Sequence, residues 1–177
     1  MDTPGGLDTA MRKIIKAIQS SKIPVASFVS PGGSRAASAG TFIAIASHIA
    51  AMEPGTNIGA AHPVNLMGGG TGEQARVMEE KAVNDASAYI RSLAEQRGRN
   101  AYWAELSVRK SVSVSAEEAK RLNIIDFVAV NLDSLVLALD KREVKLGEKM
   151  VTLNTAEKNI VFKEMNRRQR ILDIISS

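Results

Sequence analysis

The chain has 177 residues, a mass of 19.0 kDa and a formal net charge of +4. It contains no cysteine, which excludes disulfides, cysteine-ligated zinc and a thiol nucleophile. Only two histidines are present, His48 and His62, so a multi-histidine metal cluster is excluded as well. We therefore expect no metal and no cofactor, and proton transfer near neutral pH would depend largely on a lysine or a carboxylate.

The positive charge is concentrated in the second half of the chain. Residues 1–88 hold seven basic and seven acidic side chains, whereas residues 89–177 hold sixteen and twelve. Part of the excess is a cluster near the end, formed by Lys163, Arg167, Arg168 and Arg170. Because the aromatic fraction is only 4% and no recognition motif accompanies the cluster, we interpret it as a solvated face and expect no nucleic-acid partner.

The first half of the sequence predicts alternating helices and strands. Residues 8–20 have apolar side chains at helical spacing, and residues 24–30 form an apolar run of strand length. The stretch SPGGSRAASAG is typical of a turn, and residues 38–52, which are apolar on every side, predict one buried helix. A turn with a possible short strand follows, and glycine-rich residues 64–72 predict a mobile loop.

The second half continues the α/β pattern. Residues 73–97 predict the longest helix, with Val77, Met78 and Ala82 starting its apolar side, and residues 101–110 predict a short one. Ser115 and Glu118 have capping-box spacing before a helix over residues 116–122. The remaining pattern predicts a strand over 124–130, a helix over 132–142, a hairpin in KLGEKMVTLN and a polar tail.

The segment GSRAASAG, residues 33–40, is the most informative for function. It places Ser38 after a predicted strand and a glycine turn, at the start of the apolar helix. Such a turn exposes the hydroxyl, and the helix N-terminus offers unpaired N–H groups and a positive dipole end. Small neighbours would let a substrate approach the backbone. Taken alone, Ser38 is more typical of a simple helix N-cap than of a nucleophile.

Two further segments could contribute chemistry. The glycine pair of DTPGG, residues 2–6, can turn N–H groups outward to stabilise an oxyanion, although it is also an ordinary turn. Lys81 lies at the border of the apolar stripe of the 73–97 helix. If it is partly buried there, its pKa falls and it can accept a proton from a serine. The alternative is a surface lysine that pairs with Asp85 at i+4.

Together these segments resemble a known family. DTPGG, GSRAASAG, PGTNIGAAHPV, KAVNDASAYIRSLAEQRGRN and SAEEAKRLNIID are similar to the NfeD-type membrane-bound serine proteases of the ClpP/crotonase superfamily, over most of residues 1–155. The resemblance implies a ClpP/crotonase-like α/β fold of repeated ββα units, in which a parallel sheet is flanked by helices. It also implies a serine–lysine dyad rather than a triad with histidine.

The resemblance assigns roles to individual residues. It makes Ser38 the nucleophile, Lys81 the general base, and the N–H groups of Gly6 and Ala39 the two oxyanion-hole donors. His62, in A-H-P, is a rival base because ClpP-type peptidases carry a histidine in a similar setting. The family pattern favours Lys81, and His48 in the apolar helix is interpreted as a core residue.

The resemblance also implies substrates and surroundings. The expected function is a serine endopeptidase that cleaves hydrophobic segments of membrane-associated proteins, with stomatin-like membrane proteins as candidate partners, and that forms homo-oligomers. Alternatives are a Ser–His peptidase using His62, an inactive scaffold that binds membrane partners and, less favoured, a crotonase-type acyl-CoA enzyme.

The boundaries of the chain are compared with the family in the same way. Family members carry a signal segment and first strands before D-T-P-G-G, and membrane helices after the protease domain. Against that pattern the chain resembles an internal fragment: a protease domain over 1–155, with its first units absent, and a connecting segment over 156–177. Neither a signal peptide nor an apolar run long enough to span a membrane is found in the sequence, although the family implies an extracytoplasmic, membrane-associated domain.

Overall fold

A computed structural model describes residues 1–63, 72–156 and 158–163 of the chain. The first half contains α1 (Asp8–Gln19), β1 (Ala26–Val29), β2 (Arg35–Ala37), α2 (Ala39–Ala46), β3 (Ile49–Met52) and β4 (Asn57–Gly59). The second half contains α3 (Glu73–Gln96), α4 (Ala101–Arg109), β5 (Ser113–Ser115), α5 (Ala116–Arg121), β6 (Phe127–Val128), α6 (Leu132–Leu139), β7 (Glu143–Leu146) and β8 (Lys149–Thr152). The predicted α/β class is confirmed.

The strands form two three-stranded sheets and a hairpin. In the first sheet β1, β3 and β6 are all parallel, with β3 in the centre. In the second, β4 lies between parallel β2 and antiparallel β5. The predicted hairpin is β7–β8. Helices α1 to α5 and the strand residues that face them share the main hydrophobic core, and a smaller core lies between β3, β6, α6 and the hairpin.

The first three residues connect the two sheets. Thr3 forms a parallel bridge with Ala36 of β2, donating its N–H to Arg35 O at 2.7 Å. On the other side, the amino group of Met1 donates to Phe28 O of β1 at 2.6 Å. The chain therefore enters the residue 4–6 turn from a fixed extended segment.

The prediction of one helix over residues 38–52 is wrong. The helix ends at Ala46, Ser47 has extended backbone, and residues 49–52 form the central strand β3. All four residues of β3 are buried because the strand is paired on both edges and covered on both faces. Such a strand has no polar alternation, so periodicity could not separate it from the buried helix before it.

Two other expectations need correction. The stretch SPGGSRAASAG, interpreted as a turn, includes strand β2, whose pairing with β4 no local pattern announces. The strand predicted over 124–130 is reduced to Phe127–Val128. Asn123 has φ +56, and the Ile124 N–H donates to Ala119 O at the end of α5. Residues 124 and 125 therefore complete the helix end and are buried without entering the sheet.

Helix α2 is held at its C-terminus by a buried arginine. Nη1 of Arg99 donates to Ala44 O at 3.0 Å and to Ser47 O at 2.9 Å. Its Nη2 donates to Oδ2 of Asp126 at 2.7 Å, and the same carboxylate oxygen accepts the N–H of Ala50 in β3. Burial lowers the pKa of Arg99, and Asp126 opposes that effect. One ion pair thus satisfies the carbonyls of a helix end that water does not reach.

His48 follows this helix end and is a hydrogen-bonded core residue, as predicted. Only 9% of its surface is exposed, and its Nδ1 accepts the N–H of Val25 at 3.2 Å. Burial lowers the pKa of His48 from its ordinary 6.5, and the nearby Arg97 and Arg99 lower it further. The neutral ring is therefore the form that the fold selects.

Replacing Arg99 by methionine is expected to lower the free energy of unfolding by about 3–5 kcal/mol, because the buried carbonyls of Ala44 and Ser47 would lose their donor and half-buried Asp126 its nearest cation. Urea denaturation monitored by circular dichroism measures the change. Arg97→Met is the matched control, since Arg97 donates to a single carbonyl, Ala46 O, at 2.9 Å. It should cost about 1 kcal/mol. Equal losses in the two variants would show that Arg99 stabilises the end of α2 no more than a single hydrogen bond does.

The stability of the fold should decrease as pH falls below 6.5. In that range the unfolded chain protonates His48 while the folded chain resists, so the stability that is fully present above pH 6.5 is lost as the pH falls through the lowered pKa of the folded ring. In His48→Asn, which keeps an acceptor for Val25 but does not titrate, unfolding free energies measured over this range should vary less with pH. An unchanged slope would exclude His48 as its source.

Candidate active site

Ser38 occupies a sharp turn between β2 and α2. Its backbone has φ +51 and ψ −116, a conformation that a residue with a side chain adopts only at a cost of about 1–3 kcal/mol. It stands in the N-cap position, but its hydroxyl makes no capping hydrogen bond, so a simple N-cap does not explain it. A strained strand-to-helix turn that leaves a serine hydroxyl uncommitted is typical of nucleophilic serines.

Neighbouring residues hold this turn in place. The Ser38 N–H donates to Gly59 O and to Ala60 O, both at 3.3 Å. Thr41, fully buried in the first turn of α2, donates its hydroxyl to Ala36 O and Gly59 O, both at 2.8 Å. The ends of β2 and β4 and the start of α2 are therefore connected through one carbonyl, that of Gly59.

Gly59 can be no other residue in this arrangement. Its φ is +136, and a Cβ atom there would lie 2.2 Å from Val112 O and 2.6 Å from the Cα of Ser113. The close approach of β4 to the β5 side of the sheet thus fixes the carbonyl that orients Ser38.

The predicted oxyanion-hole residues meet at Ser38. Gly6 and Ala39 line the same cavity as Ser38, and a Cβ atom on Gly6 would lie only 3.2 Å from that of Ala39. Within the described parts of the chain, neither the Gly6 N–H nor the Ala39 N–H donates a hydrogen bond. Two uncommitted N–H groups beside a serine hydroxyl can bind the oxyanion of an acyl-transfer intermediate.

The cavity has a volume of about 230 Å³ and is mostly apolar. The residues that line it, besides Ser38, Gly6 and Ala39, are Leu7, Asp8, Met11, Phe42, Ala61, Pro63 and Ala86. They come from α1, α2, α3 and the segment after β4. A cavity of this composition fits an apolar side chain of a peptide better than a charged one.

Lys81 lies on the first half of α3 and does not line this cavity. It is exposed, so the expected partial burial is not found. The alternative, a surface ion pair with Asp85, is not found either, because Asp85 binds Arg12 of α1. Among the described residues Lys81 forms no ion pair.

The rival base, His62, is engaged elsewhere. Its Nδ1 lies 2.9 Å from Val108 O and, facing a carbonyl, must carry the proton. Its Nε2 lies 3.7 Å from a carboxylate oxygen of Glu79 on α3. The ring does not line the Ser38 cavity.

Sequence reasoning missed the polar network that connects α1 to α3 beside the cavity. Arg12 binds Asp8 on its own helix and Asp85 on α3, and its guanidinium lies 4.3 Å from the centroid of the Tyr89 ring. Tyr89 in turn stacks on Phe42 of the cavity wall at 6.1 Å. The Asp8–Arg12 spacing of four was a visible signal, whereas the approach of Asp85 needs the packing of two helices.

The glycine-rich loop predicted over residues 64–72 lies, apart from Gly72, outside the described residues. The same holds for Arg167, Arg168 and Arg170 of the basic cluster. Within residues 1–63, 72–156 and 158–163, no group of three or more acidic or histidine side chains is placed to hold a metal ion. No helix in those ranges is long and apolar enough to cross a membrane.

A family model described as the NfeD1b N-terminal domain matches residues 1–162. The chain belongs to this NfeD1b family. It is 38% identical to the membrane-bound protease PH1510 of Pyrococcus horikoshii, in an alignment that covers 99% of this chain. The chain spans 40% of the length of that relative. The family membership inferred from the motifs is thereby confirmed.

Solved structures of NfeD-family proteases have the same fold. A lysine-to-alanine mutant of the membrane-bound stomatin-specific protease 1510-N, in complex with a substrate peptide, matches with a TM-score of 0.88 at 36% identity. The match covers 99% of this chain and 80% of that one. A serine-to-alanine mutant of the same protease matches with a TM-score of 0.83 at 37% identity, and this match covers 93% of this chain and 80% of that one. The 1510-N protease specific for a stomatin homolog from Pyrococcus horikoshii matches with a TM-score of 0.83 at 35% identity. This match covers 99% of this chain and 79% of that one.

These matches confirm the ClpP-like α/β fold that the motifs implied for this NfeD1b domain. They also show that its relatives are proteases, and that mutants of a serine and of a lysine have been solved among them.

Gly59→Ala is expected to destabilise the domain by about 3 kcal/mol or more, because the added methyl group must displace the backbone at Val112 and Ser113. Gly55→Ala is the matched control: Gly55 also has positive φ, +77, but a Cβ atom there meets nothing within 4 Å. Its cost should be about 1 kcal/mol. Thermal unfolding of both variants measures the difference, and similar losses would show that backbone conformation alone accounts for Gly59.

Proposed function

We propose that this NfeD1b domain is a serine endopeptidase in which Ser38 is the nucleophile and Lys81 the general base. The observation that carries the proposal is the Ser38 turn. Among the described residues, the hydroxyl of this strained serine and the N–H groups of Gly6 and Ala39 have no hydrogen-bond partner, and all three residues line one apolar cavity. Membership of a family whose relatives are proteases supports it.

The proposed reaction has two steps. Lys81, as the neutral amine, takes the proton of the Ser38 hydroxyl, whose oxygen then attacks the peptide carbonyl carbon. The N–H groups of Gly6 and Ala39 stabilise the oxyanion, the C–N bond breaks, and the leaving amine takes the proton from Lys81. Water, deprotonated by the same amine, then hydrolyses the acyl-enzyme and regenerates Ser38.

Lys81 is preferred to His62 as the base. The proposal requires the Lys81 amine to reach hydrogen-bond distance of the Ser38 hydroxyl when a peptide is bound, and apo geometry is often looser than this. His62 has Nδ1 committed to Val108 O, and Nε2 faces Glu79. A solved relative with a lysine replaced and a substrate peptide bound supports the choice.

The proposed substrates are hydrophobic segments of membrane-associated proteins. The apolar cavity beside Ser38 would accept an apolar side chain, and solved relatives are described as stomatin-specific. A stomatin-like protein is accordingly the proposed partner. We further propose that residues 1–155 are the protease domain and residues 156–177 a connecting segment. As the family resemblance implies, we also propose that the protein acts as a homo-oligomer on the extracytoplasmic side of a membrane.

Ser38→Ala and Lys81→Ala are each expected to lower kcat/KM for an internally quenched peptide with an apolar run by about a thousandfold or more. The double variant should lose no more than either single one, because members of one catalytic unit fail together.

His62→Ala is the control and should keep most of the activity. Loss of activity in His62→Ala together with its retention in Lys81→Ala would transfer the role of base to His62. Full activity in Ser38→Ala would overturn the serine mechanism altogether.

A further inference from the structure

Arg12 has an unusually complete set of partners for a side chain at the surface. Its Nε donates to both carboxylate oxygens of Asp8, at 3.1 and 2.9 Å, and its Nη2 donates to Oδ2 of Asp85. The guanidinium also lies over the ring of Tyr89. The two carboxylates raise the pKa of Arg12 although burial opposes this. The side chain is therefore fixed between α1 and α3, at the edge of the Ser38 cavity.

The carboxylate that Arg12 binds is the one that Lys81 could otherwise reach along α3. Side chains three and four positions apart on a helix are neighbours. For Lys81 these are Val77, Met78, Asn84 and Asp85. Asp85 alone among them is charged, and Asn84 accepts a hydrogen bond from Arg109 instead. An unoccupied Asp85 would thus be the natural ion-pair partner of Lys81.

On α3 itself, Arg76 and Glu80 lie five positions and one position from Lys81, spacings that do not make them its neighbours. Several charged groups on the elements packed around this part of α3 have their own partners. From α1 they are Asp8 and Arg12, which bind each other. From α4 they are Glu105 and Arg109, also bound to each other. Glu79 faces His62, α2 has no charged residue, and residues 64–71 have no ionisable side chain. Asp85 is therefore the carboxylate whose occupancy matters most for Lys81.

We propose that Arg12 is a positioning residue for the Ser38–Lys81 pair, which acts by binding Asp85 and so preventing an Asp85–Lys81 ion pair. The proposal rests on the proposed function, in which Lys81 must be a neutral amine. An ion pair with Asp85 would stabilise the ammonium form and hold the side chain along its own helix, away from Ser38. Arg12 itself touches neither substrate nor the reacting atoms.

The first experiment measures Lys81 directly in the whole chain. Lysines are reductively methylated with ¹³C, the Lys81 signal is assigned by its loss in Lys81→Arg, and its pH midpoint is followed by NMR. Arg12→Gln should move the midpoint upward by about half a pH unit, since a free Asp85 and the loss of one cation both favour the ammonium. Arg12→Gln/Asp85→Asn should return it to the starting value.

Arg91→Gln is the matched control. Arg91 also binds two carboxylates, Glu95 at i+4 and Glu105 on α4, and so connects α3 to a neighbouring helix in the same way. The Arg91→Gln substitution should lower the free energy of unfolding by an amount comparable to that of Arg12→Gln and leave the pH midpoint of Lys81 unchanged. Arg12→Gln/Asp8→Asn tests the other released carboxylate and should not restore the midpoint.

The second experiment follows kcat/KM against pH with the apolar quenched peptide. The acidic limb should move upward in Arg12→Gln by the same half unit, giving about a threefold loss at pH values below the midpoint and little loss above it. Asp85→Asn in the same chain should reverse the loss, whereas Arg91→Gln should show none.

An unshifted Lys81 midpoint in Arg12→Gln, a shift equalled by Arg91→Gln, or restoration by Asp8→Asn rather than Asp85→Asn would each overturn the proposal. Failure of the proposed function is recognised separately. If the midpoint shifts as expected but Lys81→Ala remains fully active, Arg12 controls the ion pairing of Lys81 while Lys81 is not the base.

Discussion

The structure depends on how the ends of one buried helix are satisfied. Helix α2 has eight residues, no charged side chain, and only Ile43 among them is not fully buried. A helix in such surroundings cannot leave its terminal polar groups to water. At the C-terminus the buried guanidinium of Arg99 takes the carbonyls, with Asp126 as its counter-ion. The N-terminus is arranged differently, and it lies at the candidate active site.

At the N-terminus the fold leaves donors uncommitted instead of capping them. Ser38 stands where a cap would stand, yet its hydroxyl does not bond to the helix. Thr41 uses its hydroxyl to join the strand ends, and Ala39 lines the cavity together with Gly6. The carbonyl of Gly59, which accepts from the Ser38 N–H and the Thr41 hydroxyl, and the packing of the whole domain offset the cost of the strained turn. In the proposed reaction the substrate oxyanion would bind these N–H groups.

Helix α3 carries Lys81, the proposed general base. Its second half packs through Ala86, Ile90 and Leu93, whereas Val77 and Met78 in the first half are 45% and 70% exposed. Among the described residues, therefore, only the second half of the predicted apolar stripe is buried against the rest of the domain. Lys81 lies between these halves, one turn before the Asp85–Arg12 contact. It is exposed, and the nearest charge pair on its helix, Asp85–Arg12, does not include it.

The sequence by itself determined the α/β class, most helices, the β7–β8 hairpin and the family, because these depend on local periodicity, turn residues and motif spacing. It also determined that Ser38 would follow a strand and begin a helix. It could not separate α2 from β3, since a central strand and a buried helix are both apolar on every side. It could not find β2, whose three residues are held by pairing with β4 and Thr3. Only the tertiary structure decided that Gly6 meets Ala39, that Asp85 binds Arg12 and that Lys81 is exposed, because each depends on where distant segments pack.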